Sequence, residues 1–442
     1  METVLLYVLG IVIIFVGLAL SIGLHEIGHL VPAKKFGVKV GQYMIGFGPT
    51  IWSRKYGETQ YGIKALPLGG YISMAGMFPP ARKGAKPRTA STGFFDTLVQ
   101  DARTSSSDTI KPGDEDRVFY KLAVWKRVII MLGGPTMNLL IGIALYAVVL
   151  VGFGLPQATT TIASVSQCVI ASSSEQTECT DQDDPAPAAA AGIEPGDRIV
   201  SVDGTPTATW EEATEIIRGS PGESLDIVIE RDGKEVEVEL TPLLTERAVV
   251  DERGIPVTNA DGTVKTEEVG VVGITSQLVN VSQPVTAVLP AVGDNIVGVA
   301  KIIVTLPQRL WQVGEAAFGG GERDPNGPIG VVGIGRLAGE ITSLQEETVA
   351  DRAQNLIGML ASLNIALFVF NLVPLMPLDG GHVAGALWEG LRRRVAKLFK
   401  RPDPGPVDTA RLVPITLAVS GVLVVMTLLL IYADIVNPIT LQ

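Results

Sequence analysis

Apolar residues in this chain gather into long runs. No side chain between residues 3 and 24 is charged, and as a helix rising about 1.5 Å per residue such a run can cross the roughly 30 Å of hydrocarbon in a bilayer. Three further runs reach spanning length, at about residues 128–153, 356–378 and 412–435. The pattern therefore predicts a polytopic α-helical membrane protein with four spans. A cleaved signal peptide would begin with a basic segment and end at a small-residue cleavage site. The first run has neither, and only Glu2 carries a charge ahead of it.

Between the runs the periodicity changes. Residues 37–76 alternate apolar and polar positions around a turn at 56–59, which predicts a β-hairpin or small sheet beside the membrane. Residues 79–112, rich in Pro, Ser, Thr and Lys, read as a mobile cytoplasmic loop. The stretch 284–318 is apolar but carries Asp294, Lys301 and Arg309. It is expected to be an amphipathic helix lying on the outer membrane surface, because counting it as a span would put the later arginine-rich segment outside.

The net charge of -11 hides a segregation. Lys34, Lys35, Lys39, Arg54, Lys55, Lys64, Lys126 and Arg127 lie between the first two runs, and Arg392, Arg393, Arg394, Lys397, Lys400 and Arg401 between the last two. Residues 154–352 are acidic. Cytoplasmic loops carry the excess of Lys and Arg, so both basic loops are expected inside, and the acidic segment and both termini outside. Cys168 and Cys179, the only cysteines, fall in the outer segment. An oxidising compartment favours their pairing over two free thiols, closing a loop for roughly 3 kcal/mol.

Within that outer segment, Ala191-Gly192-Ile193-Glu194-Pro195-Gly196-Asp197-Arg198-Ile199-Val200-Ser201-Val202-Asp203-Gly204 precedes a helix-like 209–217. Two alternating strands follow, 225–231 and 234–240, joined at Asp232-Gly233. This order resembles a bacterial PDZ domain spanning about 160–283, with 245–265 as a local elaboration. Such domains hold a peptide end as an added strand. An unrelated β-rich module is the alternative.

The chemistry lies in two motifs that contain all three histidines. His25-Glu26-Ile27-Gly28-His29 closes the first run, and positions i and i+4 of a helix share a face, so both imidazoles can bind one ion. Glu26 stands beside them, where it can activate water. The second motif, residues 371–382, reads Asn-Leu-Val-Pro-Leu-Met-Pro-Leu-Asp-Gly-Gly-His. Its prolines and glycines break the third run, and Asp379 offers the third ligand a catalytic zinc needs while a fourth position stays open.

The chain thus resembles a bacterial member of the site-2 protease family of intramembrane zinc metalloproteases. Gly133-Gly134-Pro135 with Asn138, and Gly327-Pro328-Ile329-Gly330, are similar to further motifs of that family. The resemblance implies zinc held by His25, His29 and Asp379, with Glu26 as general base and acid. It implies that Asn371 positions substrate or stabilises the oxyanion, unless it only bridges helices, and that His382 supports the site. It further implies regulated intramembrane proteolysis of single-span transmembrane proteins, such as anti-sigma factors already trimmed outside. The membrane-associated β-region 37–78 would receive the unwound substrate as a strand. A bacterial plasma membrane location follows, with the lipid bilayer as surroundings and no nucleic-acid partner. Two readings remain beside it: a membrane zinc transporter, since His and Asp within spans also build ion pathways, and a catalytically inactive PDZ scaffold.

Overall fold

A computed structural model describes residues 2–79, 99, 106, 109–110, 112–171, 176, 179–180, 183–250, 257, 259, 263–321, 323–325, 327–344, 347–407 and 409–440. Most of the expected cytoplasmic loop 79–112 lies outside the described residues, as does much of 245–265. The chain divides into two units, Met1–Phe153 with Pro284–Gln442, and Gly154–Gln283.

The first unit is built on helices α1 (Glu2–Lys35), α2 (Val124–Ala147), α5 (Val288–Gly319), α6 (Val331–Ser343), α7 (Val349–Asn371), α8 (Asp379–Leu398) and α9 (Val413–Val436). Helix α2 runs on into a π-helical turn, Val148–Phe153. Five helical stretches, rather than four, are long and apolar enough to cross a membrane: Glu2–Lys35, Val124–Phe153, Val285–Gly319, Val349–Asn371 and Thr409–Val436. The added one contains the stretch read from sequence as a surface helix.

Helix α7 also departs from expectation. It spans Val349–Asn371 rather than 356–378. It starts earlier because Thr348 and Asp351 form a reciprocal capping box. It stops at Asn371 because Pro374 and Pro377 lack the N–H a helix interior needs. Asp379 is therefore the first residue of α8 and not part of the third span. The basic stretch expected as a loop after residue 390 is largely the remainder of α8, whose Ala386 and Glu389 are buried.

Helices α1 and α2 touch at backbone distance. A Cβ on Gly28 would lie 2.2 Å from the Gly133 carbonyl oxygen, and one on Gly133 would lie 2.0 Å from that of Gly28. Small residues permit such an approach where lipid offers no hydrophobic drive between helices. Asn364 of α7, fully buried, donates to Ser21 of α1 at 3.0 Å. At the end of α9, Asp434 accepts from the amides of Gly330 (2.9 Å) and Gly333 (2.8 Å) and pairs with Arg323 at 2.9 Å. The Gly327–Gly330 motif thus shapes a helix start against a buried acid, and a Cβ on Gly330 would sit 2.7 Å from its oxygen.

Strands β1 (Val40–Tyr56) and β2 (Thr59–Met74) are antiparallel, as their alternation predicts, but fold back further than a simple hairpin. Residues 42–45 pair with 70–73 on one side and with 60–63 on the other, while 52–56 pair with 59–63. Two long strands thereby supply four sheet positions, with 70–74 as an outermost run.

The second unit holds β3 (Leu155–Val165), α3 (Pro187–Ala190), β4 (Arg198–Val202), β5 (Thr205–Pro206), α4 (Trp210–Gly219), β6 (Leu225–Arg231), β7 (Lys234–Leu240), β8 (Leu243–Ala248), β9 (Thr266–Val271) and β10 (Ile274–Val281). Its main sheet has the order β10-β3-β4-β6-β7. The β6–β7 register follows from Asp232-Gly233, both at positive φ (51° and 73°), a combination that favours a two-residue hairpin turn. Thr209 and Glu212 cap α4 reciprocally. Its Ala213 and Ile217 pack with Ile162, Ile199, Ile227 and Ile229 in the core. Cys168 and Cys179 are joined as a disulfide.

Candidate metal centre and active site

His25 and His29 project from one face of α1, their rings meeting edge-on with centroids 4.8 Å apart. Each is oriented from behind by α2. The Nδ1 of His29 lies 2.7 Å from the Ile130 carbonyl oxygen, and the Nδ1 of His25 lies 3.1 Å from Asn138 Oδ1. Because both partners are acceptors, each Nδ1 carries the proton and donates it. The lone pair of each imidazole is thus on Nε2.

Those two Nε2 atoms are 3.2 Å apart, and each is 3.3 Å from Asp379 Oδ2. Three electron-rich atoms this close repel one another unless a cation or proton lies between them. Asp379 Oδ2 is buried and has no hydrogen-bond donor. A tetrahedral zinc with bonds of about 2.0 Å sets its ligand atoms roughly 3.3 Å apart. The donor set, its spacing and the orphaned oxygen therefore fit that ion. Among the described residues this is the one group of three or more His, Cys, Asp or Glu side chains placed to hold a metal.

Local backbone explains how Asp379 arrives there. As the opening residue of α8 it occupies the end of a helix where negative charge is favoured. The two glycines after it let α8 fold tightly onto the preceding turn: a Cβ on Gly380 would lie 2.4 Å from the Val373 carbonyl oxygen, and one on Gly381 would lie 2.6 Å from the Met376 amide nitrogen.

Glu26, 8% exposed, opens with both histidines and Asp379 onto a cavity of about 310 Å³. Gly70, Tyr71 and Ile72 of β2 form one wall. Gly70 is close enough that a Cβ there would lie 2.9 Å from Glu26 Cγ. Asn371 and His382 line the cavity too. The amide of Asn371 donates to Leu367 O at 2.9 Å within its own helix, so it does not bridge helices through that bond. His382 is not among the three converging donors. All six residues singled out in the sequence meet at this one cavity.

Three contributors were not singled out as site residues: the Ile130 carbonyl, Gly134 and Asn138. A Cβ on Gly134 would come 2.2 Å from His29 Nε2 and 2.6 Å from His25 Nε2. Asn138 left a signal, being an amide in an otherwise apolar run and completely buried. A backbone carbonyl leaves none.

Apolar helices around a His–His–Asp cluster with a buried glutamate define a membrane-embedded metallohydrolase. The chain matches the profile of Peptidase family M50 over residues 13–401. It is 36% identical over 448 residues to zinc metalloprotease Rip1 of Mycobacterium tuberculosis (strain ATCC 25618 / H37Rv), covering 99% of this chain and 100% of the relative. It is 35% identical over 455 residues to zinc metalloprotease Rip1 of Mycolicibacterium smegmatis, with the same coverage. Metalloprotease MmpA of Caulobacter vibrioides shows 28% identity over 386 residues, 85% of each chain. The chain belongs to peptidase family M50 and is a zinc-dependent, multi-pass membrane protease.

Proposed function

We propose that His25, His29 and Asp379 hold the zinc ion and that Glu26 is the general base and acid for cleavage of a transmembrane segment. The single observation behind this reading is the triangle of three lone-pair donors, 3.2–3.3 Å on a side, with Glu26 in the same cavity. Zinc, when bound, supplies Lewis acidity toward the scissile carbonyl and lowers the pKa of water. The Glu26 carboxylate takes the proton of the attacking water as the new C–O bond forms. The resulting carboxyl returns it to the departing amide nitrogen as the C–N bond breaks. Asn371 orients the carbonyl or its oxyanion, and His382 is a supporting group lining the same cavity.

A transmembrane helix hides its amides in its own hydrogen bonds, so the substrate has to unwind before attack. The 70–74 run is an outermost sheet position beside Glu26, which supports docking of the unwound segment as an added strand. In the second unit, a cavity of about 530 Å³ between α4 and residues 269–275 supports a PDZ-like role in binding a peptide end. Single-span proteins, trimmed anti-sigma factors among them, are the proposed substrates.

The proposed topology keeps four spans, basic segments inside, and both termini and the disulfide-bearing unit outside. Lys301, exposed near the middle of Val285–Gly319, supports a surface position for α5, since a lysine at the bilayer centre costs roughly 3 kcal/mol. Lys301→Cys is expected to react with an impermeant maleimide from the outer side; protection until the membrane is dissolved would return α5 to the spans. For the chemistry, purified Glu26→Gln should keep about one zinc per chain and lose cleavage of a membrane peptide. Parent-like cleavage would remove Glu26 from the mechanism.

A further inference from the structure

Helix α2 meets the metal centre along a single stripe. Ile130 offers its carbonyl to His29, Gly134 lies against both Nε2 atoms, and Asn138 holds His25. Arg127 begins that stripe, three residues before Ile130, yet reaches neither histidine. It pairs instead with Glu389 of α8 at 2.6 Å, and the two side chains are only 8% and 1% exposed. The same carboxylate accepts from the Val407 amide at 3.0 Å and lies 3.1 Å from Arg393. It is thus held from three directions.

A buried ion pair is poor ground for stability, because apolar residues of similar volume often replace it without loss. What it does supply is direction. Asp379 begins α8, and Glu389 lies about 15 Å further along the axis at 1.5 Å per residue. Ligand positions around a metal tolerate only about 0.2 Å, so a tilt of α8 by about 4° about its Glu389 end, moving Asp379 by about 1 Å, is enough to spoil the triangle. The glycine contacts at the start of α8 join it to the turn after α7 and leave its setting against α2 to contacts further along. We infer that the Arg127–Glu389 pair is a positioning device that sets α8 on α2, so that one helix aligns all three ligands. Arg127 and Glu389 are positioning residues and touch no reacting atom. The inference rests on the proposed reading of His25, His29 and Asp379 as the metal site.

The test uses the full chain in lipid nanodiscs, as parent, Arg127→Gln, Glu389→Gln and the apolar double variant Arg127→Met/Glu389→Leu. Zinc retention is titrated against a chelator, and the visible spectrum of the cobalt(II)-loaded chain reports coordination. Changes behind a metal ligand typically cost 10- to 100-fold in affinity, and each single variant should show a loss in that range with an altered cobalt spectrum. The double variant removes the pair whole, though it also takes the acceptor from the Val407 amide and Arg393; it should stay folded yet still lose about tenfold in retention. Parent-like retention and spectrum in folded single variants, with only the melting temperature lowered, would reduce the pair to a structural contact and overturn the inference. If the single variants do not accumulate, the double decides alone, and parental retention there also overturns it. A parent chain that binds no zinc would instead sink the metal-site reading itself, and this inference with it.

Discussion

Replacing Gly134 by alanine sets two opposed effects against each other. Alanine inside a helix is favoured over glycine by about 1 kcal/mol, so α2 by itself gains from the change. The new methyl, however, would stand 2.2 Å from His29 Nε2 and 2.6 Å from His25 Nε2, where ordinary contact begins at 3.4 Å. One imidazole has to retreat by about 1.2 Å and the other by about 0.8 Å, several times the roughly 0.2 Å that metal–ligand distances tolerate. The Ile130 carbonyl and Asn138 hold the far side of each ring, so the rings cannot turn aside without breaking those bonds. The expected outcome is a folded chain, with zinc retention lowered by about 100-fold and cleavage lost in proportion. Zinc per chain by atomic emission, helicity by circular dichroism, and cleavage of a reporter transmembrane peptide measure the three quantities. A Gly134→Ala chain with parental zinc and turnover would show that the imidazoles do not rest against α2.

Two further outcomes are expected. Asn138→Leu removes the acceptor that fixes His25 while keeping the residue's bulk; zinc retention should drop about 10- to 100-fold at unchanged helicity, and an unchanged chelator titration would deny Asn138 that role. In the second unit, Asp197 is 2% exposed and accepts two bonds of 2.7 Å from Arg231. Hydrogen bonding to that guanidinium holds its carboxyl below the usual carboxylate range, helped by the Glu194 amide. A lowered folded-state pKa stabilises above the unfolded value near pH 4 and is lost as pH falls through the folded value. Asp197→Asn should therefore cost about 2 kcal/mol at pH 7 and little at strongly acid pH. Amide exchange in β4 and β6 of the full chain measures this; equal protection in parent and variant at pH 7 would refute it.

Legibility tracked the range over which each feature is decided. Hydrophobic runs, the β6–β7 hairpin at Asp232-Gly233 and the α4 start at Thr209 were readable because burial period and turn chemistry act over a few neighbours. The third expected span, 356–378, differs from α7 by about seven residues at each end. An apolar run does not say where a capping box will start the helix or how far upstream of a proline it stops. The doubled-back pairing of β1 with β2 was likewise invisible, since alternation fixes which face a residue takes and leaves its partner open.

For the site, motif spacing selected His25, Glu26, His29 and Asp379, and the family resemblance added Asn371 and His382. Histidines four apart on a helix must share a face, and ionisable groups inside apolar runs need a reason to be there. The fold then decided which atoms meet. That α1 and α2 close to backbone contact at Gly28 and Gly133, that Ile130 and Asn138 set the imidazole tautomers, and that Arg127 reaches Glu389 all depend on residues 100 or more positions apart along the chain, or more than 250 for the ion pair. No local pattern encodes such distances. They come from close packing, in which the shape of one helix face selects the neighbour that fits it.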